Sequence, residues 1–286
     1  MLMGIRGSGL AGLVALLWQA AALAEAPPAT QPAKPNWQVS VEPDQCVLTH
    51  MMDGDDLSAL AIQAWAGEDV SQVVITALRL PDFPQDRLLS LTVDVKPDST
   101  PFHHPGKVVR LDAGRQALIL SGMRNNFLDA LSRASTVAIS EGAKTVGPIA
   151  LTHPASGIGA LRKCLNDQLI EWGADPAQFQ PGGKTPRALI ERDLFVANDA
   201  LLRMHFSGNG LTARFRIAIG TDGKVGGCER IDAKVSDNVE SVACKAVTSK
   251  SLFEPARDPN GVPVKGIATF RVMLATIPRS GAAHIQ

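Results

Sequence analysis

Tyrosine is missing from this 286-residue chain, and aromatic residues make up only 5% of it. Platforms on which bases stack need rings, so recognition by stacking is not indicated. Excess charge of either sign is missing too: 28 Lys and Arg balance 28 Asp and Glu. A nucleic-acid-binding face normally shows a basic excess, so no nucleic-acid partner is expected. The four cysteines contain no C-x-x-C pair, which removes the zinc ribbon and the thioredoxin-type redox site. No G-x-S-x-G elbow occurs, so a hydrolase triad has no anchor. His103 and His104 stand beside Pro101 and Pro105. With no further ligand at a recognisable spacing, they read as loop residues and not as a metal site. His50, close to Asp53, Asp55 and Asp56, reads as part of an exposed Asp-rich turn. No catalytic residue, no metal and no cofactor is therefore expected.

What is present begins with an export signal. Arg6 supplies the positive charge, residues 10–23 are almost wholly apolar, and Ala22-Leu23-Ala24 gives the small-residue cleavage pattern. Residues 1–24 are read as a cleaved signal peptide and 25–35 as a Pro/Ala linker. The apolar run lies at the short edge of a membrane span, which takes about 17–25 residues. An uncleaved inner-membrane anchor is the rival reading, and membrane contact is expected only in that case. All four cysteines, Cys46, Cys164, Cys228 and Cys244, follow this segment. An even number in an exported chain favours disulfides. Three pairings are possible; the simplest keeps each bridge within one domain, Cys46 with Cys164 and Cys228 with Cys244.

The pattern along the chain predicts two domains. Residues 36–173 read as mostly β with two helices. Strand signals fall at 37–50, 57–65, 72–80, 88–95 and 108–120, the last with a turn at 112–114. Helices are predicted over about 123–134 and 156–172, the second ended by Gly173, with short strands at 137–139 and 146–151. Residues 174–196, rich in Pro and Gly, read as an inter-domain linker. Residues 197–276 form the second domain, and 277–286 a tail. Within it, residues 211–219 alternate strictly: Leu211, Ala213, Phe215, Ile217 and Ile219 against Thr212, Arg214, Arg216 and Ala218. A hairpin turn at 220–223 leads to a second strand carrying Cys228. Asp237 reads as a helix cap with Glu240 completing a capping box. A final strand covers about 264–274. The fold class expected is α+β: a β-rich domain, then a three-stranded antiparallel sheet packed on helices.

Residues 198–274 resemble the C-terminal domain of TonB-type energy transducers. The resemblance rests on D-G-K-V at 222–225, F-E-P-A at 253–256, N-G-V-P-V at 260–264 and the final alternating strand. The cysteines at 228 and 244 look like a disulfide-bearing, alphaproteobacterial type of that family. The first domain is weakly similar to the invasion-associated locus B proteins of alphaproteobacteria, through Trp37, Cys46 and the run of strands. The TonB likeness implies a periplasmic domain that binds an extended peptide of an outer-membrane receptor, or another envelope protein, by adding a strand to its sheet edge. It places partner contacts at Ala268, Thr269, Phe270, Arg271 and Val272. An ordinary edge guarded by Lys265 and Arg271 is the competing reading. The Pro-rich segment 26–35 spans only about 30 Å at ~3.1 Å per residue, and the apolar run holds no His. A soluble periplasmic binding protein, possible in TonB-dependent transport, is thus the first expectation. A membrane-anchored transducer and an exported enzyme with a site in the first domain are the alternatives.

Overall fold

The structure is a computed structural model that describes residues 37–52, 57–85, 87–98, 100–205, 210–231 and 235–275. The expected signal peptide, Pro/Ala linker and tail, and Asp53, Asp55 and Asp56, lie outside the described residues. Nine strands form the first half: β1 (Trp37–Val41), β2 (Gln45–Met51), β3 (Leu57–Trp65), β4 (Val70–Ala77), β5 (Leu89–Lys96), β6 (Phe102–Arg110), β7 (Gln116–Arg124), β8 (Thr136–Glu141) and β9 (Lys144–Ala150). They make one sheet in the order β1-β2-β3-β4-β7-β6-β5-β8-β9. Every neighbouring pair is antiparallel. Helix α1 (Asn125–Ser132) follows β7 and α2 (Pro154–Glu171) follows β9.

Period-two alternation explains the sheet's burial. Leu60, Ile62 and Ala64 on β3, Val73 and Ile75 on β4, and Leu89, Leu91, Val93 and Val95 on β5 all point to one side. The sheet is curled, so these side chains converge with Phe127, Leu128 and Leu131 of α1 and Ile158 and Leu161 of α2 in one core. The Cys46–Cys164 disulfide joins β2 to α2. The indole Nε1 of Trp37 donates to the Thr152 carbonyl at 2.6 Å, holding β1 to the segment after β9.

The remaining elements are β10 (Arg187–Ala188), α3 (Asn198–Leu201), β11 (Gly210–Ile219), β12 (Val225–Arg230), α4 (Asp237–Val247), β13 (Phe253–Glu254), β14 (Ala256–Arg257), β15 (Pro263–Val264) and β16 (Gly266–Ala275). Strands β12, β11 and β16 form a three-stranded sheet in that order. Its apolar face, with Phe215, Ile217, Phe270 and Val272, packs on Val239, Ala243 and Val247 of α4. The Cys228–Cys244 disulfide ties β12 to α4. Both bridges are the pair expected from the sequence.

Strand accounts for 46% and helix for 23%, so the protein is mostly β. The expected α+β class, with a three-stranded sheet on helices at its centre, is corrected by the nine-stranded curled sheet that dominates the chain. Two of its strands carry breakers. β6 contains Pro105 and both paired histidines, and β9 contains Gly147-Pro148. His103 and His104 are therefore strand residues, not loop residues. His50 is also corrected: it lies on β2, 4% exposed, with its ring 4.5 Å from the Trp37 ring centroid. Helix α4 starts one residue earlier than predicted. Ser236 is the cap, accepting from the Val239 amide, and Glu240 reaches the Arg230 amide instead of closing a capping box. The segment 174–196 contains β10, paired with β13, and the buried Gln178.

The hairpin between β11 and β12 locks against β13. Gly223 has φ 79°, and a Cβ there would stand 2.1 Å from the Phe253 carbonyl oxygen. Both the positive φ and the contact with immobile backbone oppose any side chain. Gly223→Ala is expected to lower stability by about 2 kcal/mol or more, read as a shift of the denaturation midpoint. An unchanged midpoint would disprove this close approach.

Candidate functional site

The face of the three-stranded sheet opposite α4 carries Arg214, Arg216, Thr269 and Arg271. The alternation in β11 presents the two arginines on one side, and antiparallel pairing sets Arg214 directly opposite Arg271. Like charges facing each other across two strands repel. The chain meets this with Glu68, from the tight turn between β3 and β4. Its carboxylate takes the Arg214 Nε at 3.0 Å and lies 4.0 Å from an Arg271 guanidinium nitrogen. The Arg214 guanidinium also lies 4.0 Å from the centroid of the Trp65 ring at the end of β3, a favourable cation–π position. Arg216 lies over Trp172, 5.6 Å from its centroid.

Backbone contacts complete this junction. The Thr269 hydroxyl donates to the Ala66 carbonyl at 2.9 Å. The Arg192 guanidinium donates to the Gly67 carbonyl and, at 2.8 Å, to the Thr269 carbonyl. Gly67, at φ 77°, lies so close to β16 that a Cβ there would stand 3.1 Å from the Thr269 nitrogen. Ala66, Leu169, Ala174 and Ile267 form a small apolar cluster beside these contacts. The middle of the three-stranded sheet is thus covered on both faces, while Thr212, Ala218 and Met273 stay exposed on the second.

Electrostatically the junction is strained toward neutrality. The Glu68 side chain is 4% exposed. Burial pushes its carboxyl above the ordinary range, against the pull of Arg214, Arg271 and Arg192. Burial also draws the Arg192 guanidinium below its usual value, partly countered by Asp69 and Glu68. A carboxyl raised on folding contributes most stability below the unfolded value near 4.5 and loses that contribution as pH rises through the folded value. Glu68→Gln keeps the shape and removes this titration. The melting temperature of the native protein minus that of Glu68→Gln is therefore expected to fall as pH rises above 4.5. A difference that stays flat, or grows, from pH 4 to 7 would reverse the assignment.

The outer edge of β16 runs along this junction. Among the described residues, β16 pairs only with β11. Alternation in an antiparallel pair sends every second residue's backbone groups outward. Thr269, whose carbonyl meets Arg192, sets that parity. The Lys265 carbonyl shares it and accepts from the Asp175 amide at 3.0 Å and the Gln178 Nε2 at 3.2 Å. Arg271 and Met273 also share it, and on their outer side no strand among the described residues pairs with them. Of the five residues expected at the partner contact, Ala268, Phe270 and Val272 turn their side chains into the core with α4. Thr269 is 1% exposed, inside the junction. Arg271 is partly exposed, its side chain retaining 25% accessibility. The unpaired stretch of edge is thus 271–275, shifted toward the end of the strand.

A cleft of about 1450 Å³ opens beside residues 267–271 of this strand. Its walls include Arg124 and Leu128 near the start of α1, Leu165 of α2, Ile267 and Arg271 of β16, and the segment 183–194. Within that segment Leu189, Ile190 and Leu194 are 51%, 46% and 67% exposed. Three open aliphatic side chains within six residues, in a concave place, mark a surface suited to another chain. Trp65, Glu68 and Arg192 were not singled out by the sequence reading. The alternating Arg214 and Arg216 were a signal for the face, but nothing nearby in sequence indicates what covers it.

Among the described residues no group of His, Cys, Asp and Glu could hold a metal ion. His103 Nδ1 lies 3.3 Å from the Thr92 hydroxyl, and His104 Nε2 lies 3.1 Å from the Gly122 carbonyl oxygen. No helix among the described residues is long and apolar enough to cross a membrane. The two disulfides fit an oxidising, non-cytoplasmic environment. Compared with protein-family models, curated proteins and solved structures, the chain matches none of them.

Proposed function

We propose that this is a non-enzymatic binding protein of the periplasm that takes an extended peptide of an envelope partner by strand addition to β16. The partner is an outer-membrane receptor or another envelope protein, and the setting is TonB-dependent transport. The observation that carries the reading is the outer edge of β16, which no strand among the described residues pairs from 271 to 275 and which meets, at Arg271, a cleft with exposed aliphatic side chains. An edge with outward amides and carbonyls supplies main-chain hydrogen bonds to any extended segment, and neighbouring pockets select among side chains. The resemblance of 198–274 to TonB-type C-terminal domains supports the same use, and the disulfides fit the compartment.

The test places a photo-cross-linking residue at Leu194 in the intact protein in living cells. The expected adduct maps to one extended segment of one envelope protein. Met273→Pro removes an outward amide without breaking the β11–β16 ladder, so capture is expected to fall while the fold persists. Capture that is indifferent to Met273→Pro, or none at all, would refute strand addition.

A further inference from the structure

We propose that the turn at 66–68, with Arg192 of the connecting segment, is an intramolecular cover over the binding edge, closed in this structure and opened when a partner takes the whole of β16. The inference rests on the strand-addition reading and concerns its regulation. Its ground is the set of contacts that occupy the middle of the edge. At Thr269 the outward carbonyl is held by Arg192, the hydroxyl by the Ala66 carbonyl, and the space beside the amide by Gly67. An incoming strand running past Thr269 would need that same carbonyl and that same space. Residues 66–68 and Arg192 therefore stand where the partner's backbone would lie.

The contacts have the character of a latch. They come from one short turn and one side chain, and they meet the β16 edge through polar groups. The larger apolar clusters lie elsewhere, one inside the nine-stranded sheet and one between α4 and the other face of the small sheet. Only Ala66, Leu169, Ala174 and Ile267, with Leu165, Trp172 and Phe179 beside them, form an apolar seam at the junction. Each half thus keeps its own core and disulfide when the junction parts. Polar contacts of this kind open locally at lower free energy than a packed core. A closed fraction weakens apparent affinity by the reciprocal of the competent fraction. Opening also adds outward backbone groups at 267 and 269 to those at 271 and 273.

Two full-length variants test the cover in opposite directions, with capture through Leu194 as the readout. Trp65→Ala with Arg192→Ala removes the stacking surface and the guanidinium that holds Thr269. Gly67→Cys with Thr269→Cys fastens the turn to the edge, since a Cβ at 67 would lie 3.2 Å from the Thr269 hydroxyl oxygen, near the spacing of about 3 Å between a Cβ and the facing sulfur of a disulfide; Gly67→Cys alone, which carries the strain at φ 77° without the bridge, is its reference. Capture is expected to rise about fivefold for each backbone hydrogen bond gained in the opened variant and to fall in the fastened one. Amide exchange serves as the check on folding. The opened variant should exchange faster at 267–271 while β5 and β7 keep their protection. Equal capture by all three proteins, with the fold preserved, would remove the cover and leave strand addition standing. Capture by none would remove both. Lower capture by an opened variant with intact β5 and β7 protection would show that the junction builds the site and does not close it.

Discussion

Replacing Cys46 and Cys164 by alanine is expected to cost about 4–5 kcal/mol, the largest loss from any single bridge in this protein. The bridge spans 118 residues. Chain-entropy arithmetic gives about 4.7 kcal/mol for a loop of about 100 residues, by restricting the unfolded chain. Native geometry adds to it. Cys46 is 0% and Cys164 9% exposed, so two alanines also leave unfilled volume against Leu48, Ile158 and Leu161. The bridge fastens α2 across β2, near the β1 end of the sheet, and α2 follows directly on β9 at the opposite end. The Cys228–Cys244 bridge closes only 16 residues, for which the same arithmetic gives about 3 kcal/mol. Thermal unfolding under non-reducing conditions should lower the midpoint by roughly 10 °C or more for the first pair, and by less for the second. The reverse order would show that loop length does not govern these bridges.

Arg214→Ala is the second large expectation, a loss of about 3–5 kcal/mol. Removing one partner of a buried ion pair leaves the other without compensation, and Glu68, 4% exposed, has little water to turn to. Contact with the Trp65 ring is lost as well, worth about 0.5–2 kcal/mol. Arg271 stands too far from Glu68 to replace the 3.0 Å bond. Glu68→Gln introduced into the Arg214→Ala protein should restore part of the loss, because a neutral amide is far less costly to bury than a carboxylate. A double-mutant cycle over the two sites reads the coupling directly. Strict additivity would mean that the pair does not hold the two halves together.

The sequence was most informative where a local rule decides the outcome. Alternation marks β5 and β11, and in part β3, because each turns every second side chain into a core. Gly173 ends α2 at φ 103°, as its place after a helical apolar period implies. The cysteine pairing followed from keeping each bridge within one half of the chain. Other elements were illegible for physical reasons. β6 carries Pro, Gly and His that read locally as loop, yet it lies inside the sheet between β7 and β5. The junction was hidden by distance: Glu68 and Arg214 are 146 residues apart. A strand face bearing Arg214, Arg216 and Arg271 reads as solvated when the turn that neutralises it lies in another part of the chain. For the same reason the sequence did not show that Thr269, within the expected contact at 268–272, is held by the turn at 66–67 and by Arg192.

Covering the middle of the small sheet on both faces has a consequence for how such a chain can change over generations. A domain that meets water on one side can be cut out and joined to a new neighbour with little harm. Here a recombination between residues 173 and 197 would part Arg214 from Trp65 and Glu68. The incoming partner would inherit two facing arginines with nothing between them, and the outgoing half a buried carboxylate with no cation. A substitution at the turn therefore acts on the strands it touches, and one on those strands acts on the turn.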